Sequence, residues 1–317
     1  MTKILANDGI SKAGQKALEE AGFEVLTTKV AQEQLANFIN ENNIEVLLVR
    51  SATKVRKELI EACKNLKLIG RGGVGMDNID VGYAKSKGLH VINTPAASSE
   101  SVAELVFAHL FGGVRFLHDS NRNMPLEGDS RFKELKKSYG AGTELRGKTL
   151  GIIGFGRIGQ ATAKIALGVG MRVMYHDLYV SEATIELTFY DGRTMEFELK
   201  SEPKETVLKN SDFITVHVPA QKDYVLGKKE FEIIKPGAAI INAARGGVVD
   251  EIALVEALEK ERVSFAGLDV FESEPRPEVQ LLMHPKVSLT PHIGAATSEA
   301  QDRIGLELAS QIIKLLK

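Results

Sequence analysis

The chain has 317 residues, 44% of them hydrophobic and 26% charged, with a formal net charge of −2. That length suits two domains, and the near-neutral balance carries no electrostatic footprint for nucleic acid or an anionic membrane. A single cysteine, Cys63, excludes an internal disulfide, and with no signal-peptide pattern and no bilayer-length apolar run the expected setting is cytoplasmic.

From the first residue, short apolar runs alternate with helical patterns. Strands are predicted at Lys3–Ala6, Glu24–Leu26, Val46–Val49, Leu68–Gly70 and His90–Ile92, with helices over 11–21, 31–41, 56–64 and 80–87 between them. Such alternation implies βαβ units and a parallel sheet. Val46–Val49 is apolar at every position, as a strand covered on both faces must be. Cys63 falls in the third helix, in an apolar setting that favours a core thiol over a nucleophile.

After Pro95 the pattern changes. Residues 98–118 read as one long helix capped by Ser98 or Ser99, and a polar stretch follows over 119–147. A second alternating series opens with the strand Thr149–Ile153. It continues through 157–169, 171–175, 204–209, 213–216, 228–234, 238–241, 250–260, 264–267 and 287–289, and a helix over 297–316 closes it. Two series predict two domains, 1–95 with 291–317 and 96–290. Within the second, residues 185–199 alternate apolar and polar on both sides of Asp191-Gly192, which predicts an inserted β-hairpin on a type I′ turn.

The first chemistry-bearing motif is Gly154-Phe155-Gly156-Arg157-Ile158-Gly159. A strand precedes it, a helix follows, and an acid, Asp177, comes about twenty residues later beyond a second strand; together these are the marks of a dinucleotide fold. The glycines permit a tight turn and close approach to a pyrophosphate, and the helix N-terminus supplies free N–H groups. Asp177 accepts from an adenosine ribose and repels a 2′-phosphate, so NAD is expected rather than NADP. A second glycine cluster, Arg71-Gly72-Gly73-Val74-Gly75, reads either as an anion-binding nest or as a packing turn.

Three strands of the second series end in unlike polar groups: Arg245 after 240–241, Asp269, Glu272 and Glu274 after Gly267, and His292 after 287–289. Ligands of open α/β sheets bind at this edge. Histidine suits proton transfer near neutral pH, a carboxylate beside it fixes its ring, and arginine grips a carboxylate through two parallel hydrogen bonds. The scattered histidines and one cysteine lack metal-ligand spacing, so no metal is expected.

At these residues the chain resembles the NAD-dependent D-2-hydroxyacid dehydrogenases over essentially its full length, and within them the phosphoglycerate-oxidising branch. The matching stretches are Val49–Val55, Gly70–Asp80, Gly142–Gly151 and Asp212–His217, with Ala-Arg-Gly-Gly at 244–247, Asp-Val-Phe-x-x-Glu-Pro at 269–275 and Pro-His-Ile-Gly-Ala at 291–295. The resemblance implies an α/β fold of two doubly wound parallel-sheet domains, a Rossmann domain for NAD and a flavodoxin-like substrate domain. It implies a catalytic triad of Arg245, Glu274 and His292. It places Gly154, Gly156, Arg157, Ile158 and Gly159 along the pyrophosphate, Asp177 on the ribose, and Val218, Ala243, Ala244, Asp269, Gly294 and Ala295 about the cofactor, although Val218 stands where relatives often carry a polar residue. Gly73, Val74 and Asn78 would meet the substrate carboxylate, and Arg50, with Arg71 or Lys54, a phosphate.

The implied reaction is oxidation of D-3-phosphoglycerate to 3-phosphohydroxypyruvate, towards L-serine. The alternatives are reduction of hydroxypyruvate, glyoxylate or another 2-oxo acid, or a non-catalytic NAD-sensing scaffold. The resemblance also implies a homodimer through 98–118 and the arm after it, with Lys136 and Lys137 reaching the partner's site. No C-terminal regulatory domain is expected.

Overall fold

The computed structural model describes all 317 residues. The chain divides into two compact units, Met1–Ser101 with Ala295–Lys317, and Val102–Gly294. The expected boundaries each fall a few residues early. Ala97 is buried in the first unit's core and its carbonyl accepts from Arg303, whereas Ile293 and Gly294 are tied by their N–H groups to Asp269 of the second unit.

In the first unit, β1 (Lys3–Ala6), α1 (Lys12–Glu20), β2 (Glu24–Leu26), α2 (Leu35–Glu41), β3 (Val46–Val49), α3 (Lys57–Ala62), β4 (Leu68–Arg71), α4 (Val81–Ser86) and β5 (His90–Asn93) alternate as expected. The sheet is wholly parallel, in the order β2-β1-β3-β4-β5, which is the flavodoxin-like order. Leu47 at 0% exposure and Leu48 at 1% show why β3 carries no polar residue: full burial of each stabilises the fold by roughly 1.5–3 kcal/mol. Cys63 is buried in this core, and burial pushes its thiol up to about 11, which leaves it un-ionised and inert.

The second unit takes up most of α5 (Ser99–Val114), then α6 (Leu117–Glu127) and α7 (Phe132–Ser138). The single long helix expected over 98–118 breaks after Val114, where Phe116 adopts a left-handed φ of 54°. Gly112-Gly113 weakens the helix there, and Gly113 lies so close to the Phe265 ring that no side chain fits. The polar stretch after it is largely helical. It gave no helical signal because α6 buries no residue and contains Pro125.

The Rossmann core then follows: β6 (Thr149–Ile153), α8 (Arg157–Gly168), β7 (Arg172–His176), the hairpin β8 (Glu182–Thr188) and β9 (Thr194–Lys200), α9 (Lys204–Asn210), β10 (Phe213–Val216), α10 (Lys228–Ile233), β11 (Ala238–Asn242), α11 (Glu251–Glu259), β12 (Val263–Leu268), α12 (Val279–Leu282) and β13 (Val287–Leu289). Its six strands are parallel in the order β13-β12-β11-β10-β6-β7. The switch point lies between β6 and β10, beside the glycine loop. The hairpin buries Ile185 in the α8 side of this core.

The hairpin's turn differs from the type I′ expectation. Phe189 N–H donates to Arg193 O and Gly192 N–H to Phe189 O, which leaves a three-residue loop with only Gly192 at positive φ. The Asp191 carboxylate accepts the Arg193 N–H, and this bond selects a type I turn followed by a glycine bulge.

The final helix, α13 (Ser298–Leu316), is capped by the Thr297 hydroxyl, which accepts from Ala300 N–H. It crosses α1 at a contact where a Cβ on Gly14 would stand 2.6 Å from the Gly305 backbone. No helix is long and apolar enough to cross a membrane.

Candidate active site

The glycine loop leaves β6 at the switch point. Gly154 has φ 93°, and a Cβ there would lie 2.5 Å from His217 O and 2.8 Å from Val218 Cγ1. At Gly159 a Cβ would strike the Gly154 carbonyl, so helix and strand close together only with glycine. A Cβ built on Gly156 would meet nothing within 4 Å, so the loop is open on that side. α8 starts at Arg157 without a side-chain cap, so the N–H groups of its first turn, Ile158 among them, face that space as anion donors. These features fit a dinucleotide. Val218 packs on the loop and offers apolar contact only.

Asp177 closes β7 as a brace for the same loop. Its Oδ2 accepts the Phe155 N–H at 2.6 Å, and its Oδ1 accepts those of Tyr179 and Val180 at 2.7 and 3.0 Å. Burial raises its pKa, but these three N–H donors and His176 outweigh burial and hold the carboxyl below the usual range. The ionised, half-exposed group remains able to accept from ribose hydroxyls.

The C-terminal ends of β11, β12 and β13 carry the three polar groups. Asn242 organises the first: its Oδ1 accepts from Ala244 N–H and its Nδ2 donates to Arg245 O, both at 3.0 Å. Ala243 and Ala244 are thereby buried, and Arg245 is half-buried with Nη1 donating to Ala244 O at 2.6 Å. Gly246 abuts the Phe271 carbonyl with no room for a Cβ, which seats the Arg245 loop against the loop bearing Glu274. Glu272 in that loop and Glu251 at the start of α11 each accept the other's backbone N–H, and Glu274 Oε1 accepts the Phe271 N–H at 3.1 Å. Its other oxygen, Oε2, lies 2.9 Å from His292 Nδ1. Nδ1–H is therefore the donor to the carboxylate, and Nε2 is the nitrogen left for chemistry. A cavity of about 420 Å³ lies alongside, lined by Phe271, Glu274, Pro275, Leu289 and His292. A larger one, about 570 Å³, lies at the opposite, N-terminal ends of the strands and carries none of these groups.

Asp269, expected at the cofactor, is 1% exposed, and its oxygens accept from the Thr290 hydroxyl and from the N–H groups of Ile293 and Gly294. It holds the turn around His292. The Gly294 N–H is engaged in the same contact. The Ala295 carbonyl accepts from Gln301 in the first unit.

In the first unit, Asp8 follows β1 and Arg50 follows β3, at the switch point of that sheet. Asp8 Oδ2 accepts the N–H groups of Arg50 and Thr53, and its Oδ1 accepts the Thr53 hydroxyl. None of these bonds engages the half-buried Arg50 guanidinium. Lys54 is exposed, with its N–H on Gln32.

Asn78, expected at the substrate carboxylate, has both protons of its amide engaged, on Arg50 O at 2.7 Å and Thr53 O at 2.6 Å, and its Oδ1 accepts from Arg71 Nε. The side chain staples the Arg50 turn to the glycine cluster. Gly73 sits in that cluster at φ 152°, where a Cβ would strike the Arg71 guanidinium, and Asn93 Nδ2 holds Val74 O at 2.6 Å.

Sequence reasoning missed Asp8, Glu251 and His109. The last is the one polar residue in the apolar run 105–114 of α5, and that isolation is the one signal that would have marked it.

Residues 107–294 match the family described as D-isomer specific 2-hydroxyacid dehydrogenase, NAD binding domain. Among curated proteins, the chain is 41% identical to the hydroxypyruvate reductase of Thermotoga maritima, covering 99% of this chain and 98% of that one. It is also 41% identical to the D-3-phosphoglycerate dehydrogenase of Methanocaldococcus jannaschii, covering 100% of this chain but 58% of the relative. Among solved structures, a glyoxylate reductase from Paecilomyes thermophila superposes with a TM-score of 0.81 at 28% identity, over 99% of this chain and 96% of that one.

Proposed function

The chain belongs to the D-isomer specific 2-hydroxyacid dehydrogenases, enzymes that use NAD, and from that premise we propose that it oxidises D-3-phosphoglycerate to 3-phosphohydroxypyruvate, the first committed step towards L-serine. The observation that carries the substrate is Arg50. Its backbone is fixed by Asp8 at the switch point of the first unit, while its guanidinium lies outside that network. A cation placed there suits a phosphate. The hydroxypyruvate reductase relative, matched over nearly its whole length, favours a second reading in which the substrate lacks the phosphate.

The triad supplies the acid–base chemistry. In oxidation, His292 Nε2 takes the proton of the 2-hydroxyl; in reduction it returns that proton to the carbonyl oxygen. Glu274, held by the Phe271 N–H, orients the ring through Nδ1 and stabilises the imidazolium. Arg245 binds the 2-oxo acid and polarises its carbonyl. Bound NAD, held by the Gly154–Gly159 loop and Asp177, supplies the hydride acceptor. The backbone at Gly73–Val74 holds the carboxylate through the Val74 N–H, since the Gly73 N–H is given to Arg71 O, with Arg71 or Lys54 near the phosphate.

A homodimer in the cytoplasm is part of this reading. Phe111, Leu117, Leu126 and Phe132 are exposed along α5 to α7, an apolar set that a second copy would cover, with Lys136 and Lys137 of α7 reaching its site.

NADH consumption with 3-phosphohydroxypyruvate beside hydroxypyruvate, glyoxylate, pyruvate and 2-oxoglutarate tests the proposal. A kcat/KM roughly 10- to 100-fold higher for the phosphorylated acid is expected, since a desolvated charge-assisted pair is worth roughly 1.5–3 kcal/mol. An unphosphorylated acid as best substrate would replace the named reaction with the second reading.

A further inference from the structure

His109 takes no part in any motif, yet it is 3% exposed in the middle of α5 with both ring nitrogens engaged. Nδ1 lies 2.9 Å from Ser288 Oγ, and Nε2 lies 3.1 Å from Thr290 Oγ1. The glycine at 267 makes room for the ring, since a Cβ there would stand 2.6 Å from His109 Cβ. Counting protons fixes the direction of every bond in this group. The Asp269 oxygens accept from three donors, so Thr290 must give its one hydroxyl proton to Oδ1, at 2.7 Å. Thr290 Oγ1 can then only accept from His109, and Nε2 carries the hydrogen. Nδ1 is left as the acceptor for the Ser288 hydroxyl.

The chain of bonds therefore runs from Ser288 to His109, to Thr290, to Asp269, and ends on the N–H groups of Ile293 and Gly294. Those two residues directly follow His292, which stands at φ 55°, a left-handed conformation that a non-glycine residue holds only when its surroundings over-determine it. We propose that His109 is a positioning residue: through Thr290 and Asp269 it holds the turn that aims His292 at its proton.

Two charged or titratable groups face the ring, Asp269 and His118. Burial lowers the His109 pKa, with Asp269 opposing and His118 reinforcing, so the ring stays neutral in the tautomer that the bonds require. The proposal rests on His292 being the proton donor.

The test uses the full chain and compares His109→Leu and Thr290→Val with His109→Gln and Thr290→Ser. Gln places an amide nitrogen where Nε2 stood, and Ser keeps the hydroxyl. Three quantities are measured: kcat, the KM for NADH and the melting temperature. His292→Asn serves as the control.

The Leu and Val variants are expected to lose roughly 10- to 100-fold in kcat, as a small misplacement of a catalytic group does, with the KM for NADH within about 3-fold. Gln and Ser are expected to restore most of the lost kcat. Thr290→Val removes only a hydroxyl and keeps the test intact should His109→Leu fail to fold. A kcat within about 2-fold of wild type, with only the melting temperature lowered, or a kcat loss that Gln and Ser do not rescue, would reduce His109 to packing and overturn the proposal. If His292→Asn itself kept turnover, the proton-donor reading would fall, and this proposal with it.

Discussion

The two units are built on the same principle and use it differently. Each is a doubly wound parallel sheet, and each hangs its polar groups on loops at the C-terminal ends of its strands. In the first unit the acid at the switch point, Asp8, is an organiser: it fixes the backbone around Arg50 and Thr53 and leaves the cation outside that network. In the second unit the acids divide the work. Asp269 is buried and clamps a turn, while Glu274 reaches the imidazole of His292 at 2.9 Å. The same functional group at the same edge does structural or chemical work according to how many backbone donors it meets. In our account the second unit carries proton transfer and cofactor binding, and the first carries substrate choice.

The strongest way to break that division is to remove the proton donor. His292→Asn should lower kcat by about 10²- to 10⁴-fold, the usual worth of general acid–base catalysis, while NADH affinity measured by fluorescence stays within a few fold. Equal losses in both would mean that His292 also supports the cofactor loop.

A smaller effect sharpens the contrast between histidines within the second unit. His217 Nε2 lies between the Thr215 and Thr162 hydroxyls, at 3.1 and 3.3 Å, and burial pushes its pKa down to about 3. Unfolded, it titrates near about 6.5. Below that value the unfolded chain binds a proton that the folded chain refuses, so this contribution to stability falls as pH drops from about 6.5 towards 3. One pH unit below the unfolded value the loss is about 1.4 kcal/mol, or roughly 3–6 °C in melting temperature. His217→Gln keeps a donor at the Nε2 position and should flatten that slope. An identical slope in the variant would assign the acid sensitivity to other groups.

The parts legible in the sequence were those whose partners are close in the chain or whose geometry is compulsory. The Gly154–Gly159 loop declares itself because no side chain fits at Gly154 or Gly159, and β3 declares itself because both of its faces are buried. Asn78 and Asp269 were assigned to ligands from their motifs. The structure gives Asn78 three partners in its own unit and Asp269 three donors around His292, and spacing does not reveal how a buried polar group meets its hydrogen-bonding requirement. The partner of His109 was not legible because Thr290 is 181 residues away. The α6 helix was missed because it buries nothing, and burial is what produces periodicity.

The division of labour is tested most directly by the ratio of kcat/KM for 3-phosphohydroxypyruvate to that for hydroxypyruvate, measured in the wild type and in Arg50→Ala. The account predicts a wild-type ratio of at least about 10 that falls by roughly 10-fold in the variant, with hydroxypyruvate turnover little changed. A ratio that is low in the wild type, or that Arg50→Ala leaves intact, would contradict it.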